Sequence, residues 1–124
     1  MSSADAPASL GVENMGAVGI VGRGVLLDIA AVRGAVLQPG STIRPEDLEA
    51  AERLHGVRVG EGDVLFVRNG AGPRNTYKLG TGLHAACLPW LRERKVAVLS
   101  GDSDSDVHPP RPGFAKWTEP VHMV

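Results

Sequence analysis

The sequence predicts an α/β protein. Three short apolar runs with β-branched members, Val25–Ala30, Val64–Arg68 and Val96–Leu99, suit strands buried on both faces. Between them lie segments with helical spacing and helix end signals, so strand and helix alternate. At 124 residues the chain fits one domain. Its 43% hydrophobic content is ordinary, while 16 glycines and nine prolines assign a large share to turns and loops.

Residues Met1–Ala8 are small, polar and proline-containing and read as a disordered lead-in; the domain occupies 9–124. Gly16–Gly24 is punctuated by glycine and delivers the chain into the first strand. Its closely spaced glycines precede a strand where a dinucleotide-binding turn would follow one, so they read as a turn or bulge. Gln38–Ser41 is a turn. The clearest helix follows. Pro45 suits its first position, Glu46 and Asp47 complement its N-terminal dipole, and Gly56 stops it. Ile43 and Leu48 have staple spacing. Leu48, Ala51 and His55 share one face, leaving Glu49, Glu52 and Arg53 toward solvent. Glu61–Asp63 turns into the second strand, and Asn69–Gly82 reads as a loop. Leu83–Cys87 reads as a short turn before a helix with Pro89 at its first position, Trp90 and Leu91 packing inward. After the third strand, Arg111–Val124 is mostly irregular. Three strands under two helices leave sheet edges and a face that need partners, which predicts self-association into a homo-oligomer.

Composition excludes several classes of function. A formal charge of −1 argues against nucleic acid or an anionic membrane as the main partner. No apolar run approaches the roughly 20 residues of a membrane span, and the N-terminus lacks the pattern of a signal peptide. These features predict a cytoplasmic protein. Cys87 is the single cysteine, which excludes an internal disulfide framework and a thiolate zinc cage. It reads as core.

Chemistry-bearing residues concentrate after the third strand. A buried strand that empties into the acidic loop Gly101–Pro110 is a common way to build a ligand or metal site. Asp102, Asp104 and Asp106 match the first three ligand positions of a calcium loop, but Val107 and Gly113 stand where glycine and glutamate are required. Two readings remain: a solvated loop whose aspartates cap backbone N–H groups, or a site in which one or two of these residues face a pocket. No two of His55, His84, His108 and His122 have the i, i+4 spacing of a helical metal pair. His55 and His84 read as surface or helix-end residues, while His108 and His122 are candidates for a ligand or a base. The loop Asn69–Asn75 could cradle a carboxylate through its backbone N–H groups, with Arg68 or Arg74 nearby, or be a plain flexible loop. Asp28, alone in an apolar run, needs a partner if buried.

Six blocks carry a family resemblance. They are GIVGRGVLLDIA (Gly19–Ala30), EDLEAA (Glu46–Ala51), GDVLFVRNG (Gly62–Gly70), GLHAACLPWLRER (Gly82–Arg94), VAVLSGDSDSDVHP (Val96–Pro109) and EPVH (Glu119–His122). In this order they resemble the central and late parts of the cyclase-family metal-dependent hydrolases, which include kynurenine formamidases (arylformamidases) and isatin hydrolase. The resemblance spans residues 9–124. It implies a cyclase-type fold, with a mixed β-sheet or open barrel flanked by helices. It also implies zinc or manganese activating water against an amide or lactam substrate, as in tryptophan catabolism. Asp102, Asp104 and Asp106, with His108, match a loop at the edge of the family's site, and His122 matches the histidine of its Pro-Val-His block, a pocket or metal-shell position. The family's His-x-Gly-Thr-His-x-Asp signature, which supplies most of the metal ligands, has no counterpart here. Both that N-terminal motif and the family's C-terminal end are absent from these residues, so this chain is expected to be a partial domain, inactive alone. The alternative expectation is a non-catalytic module for small-molecule binding or oligomerisation.

Overall fold

Side chains that alternate across an extended chain place every second residue on one face, and the strands Gly24–Asp28 and Val64–Arg68 are buried with that period. Val25 and Leu27 are buried on the first strand, Leu65 and Val67 on the second. Between them Leu26 is 53% and Phe66 41% exposed. Among the described residues these two strands are therefore covered on one face only, which corrects the expectation of burial on both. An apolar residue at an outward position looks the same in sequence as one at an inward position.

The computed structural model describes residues 12–71, 80–103 and 105. In chain order its elements are α1 (Glu13–Val18), β1 (Gly24–Asp28), α2 (Ile29–Arg33), β2 (Thr42–Ile43), α3 (Pro45–His55), β3 (Val64–Arg68), β4 (Gly82–Leu83), α4 (Cys87–Glu93) and β5 (Val98–Gly101). The sheet has the order β1-β3-β5 and both pairings are parallel, with Leu27 opposite Val67 and Leu65 opposite Leu99. A second pair, β2 and β4, is also parallel and aligns Ile43 with Leu83. The α/β class is as expected, and every described strand pair runs parallel. No helix among the described residues is long and apolar enough to cross a membrane. The lead-in assigned to Met1–Ala8 and the irregular stretch Arg111–Val124 lie outside the described residues.

Helix α3 forms where expected. Pro45 is its first residue, the Asp47 carboxylate accepts the Arg44 N–H at 2.9 Å, and Gly56 caps the end in the left-handed conformation. Leu48 and Ala51 are fully buried and join Val25, Leu27, Leu65 and Val67 in one core. Full burial of a leucine at such a site contributes about 2 kcal/mol of transfer free energy. Glu52, expected toward solvent, is buried instead. It follows Leu48 by four positions, so it shares that residue's face. Its Oε1 accepts the Val59 N–H at 2.7 Å, and its two oxygens accept Arg94 Nη1 and Nη2 at 2.8 and 3.1 Å. Arg94 Nη1 also donates to the Val59 carbonyl, and its guanidinium lies 4.8 Å from the centre of the buried Trp90 ring.

Other boundaries move for local reasons. The first apolar run is a strand only to Asp28, whose Oδ1 accepts the Ala31 N–H at 3.0 Å and starts α2, which Gly34 closes. Helix α4 begins at Cys87, so Pro89 is its third residue, still within the first turn where its missing N–H has no acceptor to satisfy. Strand β5 begins two residues later than the apolar run, because the Val96 N–H is spent on the Leu91 carbonyl at the end of α4. It reaches Gly101, where a Cβ would come within 2.6 Å of the Val67 carbonyl oxygen and would prevent the two strands from closing.

Two further ion pairs join distant segments. Arg23 donates from Nε and Nη2 to the two oxygens of Asp63, at 3.0 and 2.6 Å, and Gly60 N–H adds a third donor at 2.8 Å. Arg68 Nη1 donates to both oxygens of Asp28 at 2.9 Å. The Arg23 hydrogen bond and the Gly60 N–H hold the Asp63 carboxyl below the usual carboxylate range, against a smaller effect of burial. Burial pushes the Asp28 carboxyl up, but the Ala31 N–H and Arg68 together outweigh it and hold it low.

Two predictions follow from these contacts. Glu52→Ala strands the half-buried Arg94 guanidinium and the buried Val59 N–H, and should cost about 3 kcal/mol in urea unfolding. Asp28 and Asp63 release their protons more readily folded than unfolded. The stability they contribute is complete above the unfolded value of about 3.9 and is lost as pH falls through the lower folded values. Asp63→Asn and Asp28→Asn should therefore lower the urea midpoint at neutral pH and flatten its decline below about pH 4.

Candidate functional site

Parallel strands present all their carboxyl ends at one edge of the sheet, and ligands of open α/β sheets bind at that edge. Here the edge carries Asp28 at the end of β1, Arg68 and Asn69 at the end of β3, and Gly101, Asp102 and Ser103 at the end of β5. Asp102 is the described aspartate of the acidic loop. Its Oδ1 accepts the Asn69 N–H at 3.0 Å and its Oδ2 accepts the Gly70 N–H at 2.8 Å. Asn69, 2% exposed, donates from Nδ2 to Ser103 Oγ, and its Oδ1 accepts the Ala71 N–H at 2.8 Å. Ser103 Oγ donates in turn to the carbonyl of the fully buried Thr81 at 3.2 Å, while Thr81 Oγ1 donates to the Gln38 carbonyl.

This network ties the loops after β3 and β5 to the residues before β4. Asp102 thus follows the reading in which a loop aspartate binds backbone N–H groups. Asn69 and Gly70 do cradle a carboxylate, as the glycine-rich loop allowed, and that carboxylate belongs to the chain itself. Arg68 serves Asp28, and Arg74 lies outside the described residues. Asp104, Asp106, His108 and His122 also lie outside them. Sequence reading passed over Ser103 and Thr81, and weighed Asn69 only as part of its loop; the Asn69-Gly70 dipeptide was the available signal, since such pairs mark backbone turned through the left-handed region.

Two spaces adjoin the network. A depression of about 360 Å³ on the open sheet face is bounded by Leu26, Phe66, Val67, Arg68, Gly101 and Asp102. Beneath the loops, a cavity of about 10 Å³ touches Ile43, Asn69, Leu83 and Ser103 and has room for at most one water.

The remaining candidates have structural positions. Cys87 is fully buried, its Sγ donates to the Ile43 carbonyl at 3.4 Å, and burial pushes its thiol up to about 12, which makes it core and no nucleophile. His55 Nε2 accepts the Asp28 N–H at 3.3 Å, and His84 Nδ1 accepts the Ala86 N–H at 3.0 Å at the entry to α4. Among the described residues no group of three or more His, Cys, Asp or Glu side chains could hold a metal ion. The donor chemistry agrees, because both Asp102 oxygens already accept backbone N–H groups. The described residues therefore do not fit the zinc or manganese that the family resemblance implies.

Comparison with known proteins agrees with this architecture. The crystal structure of a novel cyclase is 32% identical to the chain, superposes with a TM-score of 0.67, and is matched over 82% of this chain and 37% of its own. The chain thus spans little more than a third of the length of that protein. No curated protein matches significantly. The family model described as Putative cyclase matches residues 2–105, and the chain belongs to that family.

Proposed function

We propose that this chain supplies part of the scaffold of a hydrolase that cleaves an amide or lactam C–N bond. Family membership supports the enzyme fold. The single observation that supports a site at the sheet's carboxyl edge is the network that fixes Asp102 and Ser103 beside Asn69. The rigid sheet sets the position from which the acidic loop departs. The open depression beside it, with apolar Leu26 and Phe66 and polar Arg68 and Asp102, is suited to a small molecule with an apolar body and a polar group. In this reading the described residues shape and position, and the groups that activate water lie elsewhere.

The test has two arms. The purified chain is titrated with Zn²⁺ or Mn²⁺ and assayed for N-formylkynurenine hydrolysis; weak, substoichiometric binding and no turnover are expected. The chain is then co-expressed with a polypeptide bearing the His-x-Gly-Thr-His-x-Asp segment of a cyclase, and the assembly is assayed on formamide and lactam substrates. Turnover by the assembly supports the reading. A folded assembly that hydrolyses neither class, or tight one-to-one metal binding with turnover by the chain alone, overturns it.

A further inference from the structure

Consecutive backbone N–H groups converge on a single point when the chain passes between unlike backbone conformations, and such a concavity binds anions. Asn69 and Gly70 meet this condition, with Gly70 at φ +74°. Each N–H donates to a different oxygen of one carboxylate, at 3.0 and 2.8 Å. The conformation is held by contacts that Asp102 does not make. Leu37 N–H donates to the Asn69 carbonyl at 2.9 Å, and Asn69 Oδ1 takes the Ala71 N–H. Val36 packs so close to Gly70 that an added Cβ would lie 2.5 Å from its Cγ1. Asp102 itself is exposed and borders the open depression with Leu26, Phe66 and Arg68, so the carboxylate position is reachable from solvent.

We propose that the backbone of Asn69 and Gly70 is a preorganised carboxylate-binding site that Asp102 occupies as an internal ligand, and that a small external carboxylate takes its place when that side chain is removed. The N–H pair and the space left by the side chain suit formate, whose two oxygens have the same separation as those of aspartate. Each bond is charge-assisted, and the preorganised donors lose little freedom when an ion arrives.

The experiment is rescue of Asp102→Ala by formate. Relative to the parent, the variant should melt roughly 5 °C lower, with faster hydrogen exchange at the Asn69 and Gly70 amides. Formate should recover most of that loss and shift those two amides in ¹H–¹⁵N spectra, while chloride at equal ionic strength does neither and the parent's melting temperature does not respond. Equal recovery with chloride, or formate binding that leaves both amides unmoved, would overturn the proposal. If the alanine variant does not fold, Asp102→Asn preserves the side chain's shape with one oxygen in place of two. Protection should then fall at one or both amides, and unchanged protection at both refutes the assignment.

Discussion

Parallel pairing is the constraint from which the other features of this structure derive. Neighbouring strands that run the same way cannot be joined by a tight hairpin, so each connection must cross over the sheet. The segment between β1 and β3 carries α2 and α3, and the segment between β3 and β5 carries α4. Leu48 and Ala51 of α3 and Trp90 of α4 fill the core against Val25, Leu27, Leu65 and Val67. The same pairing leaves Leu26 and Phe66 on the uncovered face, and it collects the carboxyl ends of all three strands at one edge.

Polar contacts then fix how the crossovers sit. The Glu52–Arg94 pair links the end of α3 to the end of α4, and both partners also bond to the Val59 backbone. Such a partly buried pair is tolerated because its oxygens and protons find partners, and it is vulnerable to loss of either side chain for the same reason. Arg23–Asp63 and Arg68–Asp28 are more exposed on the arginine side. Their influence lies more in orienting segments than in net stabilisation. At the carboxyl edge the corresponding joint is Asp102 on the Asn69 and Gly70 amides, which holds the start of the acidic loop against the end of β3.

A consequence for chemistry is that the titratable groups described at this edge are already committed. Asp28 is both a helix cap and an ion-pair partner, and Asp102 satisfies two amides. Cys87 is sealed in the core with its thiol protonated. The edge is thus held in place by the chain's own contacts.

The sequence by itself determined the α/β class, the three strands to within two residues at each end, and helix α3 with both its ends. These rest on local signals: apolar runs, a proline and acidic residues at a helix start, a glycine at its end. The six blocks also pointed to the family that the comparison then established. Helix α2 was legible only in hindsight, because Asp28 is a capping residue inside an apolar run. Tertiary structure alone decided which strand face is covered, why Glu52 is buried, and which partners Asp28 and Asp102 take. Each of those depends on groups far apart in the chain, such as Arg94 for Glu52 and Asn69 for Asp102, and no local pattern encodes a pairing that only the crossover connections bring within hydrogen-bonding distance.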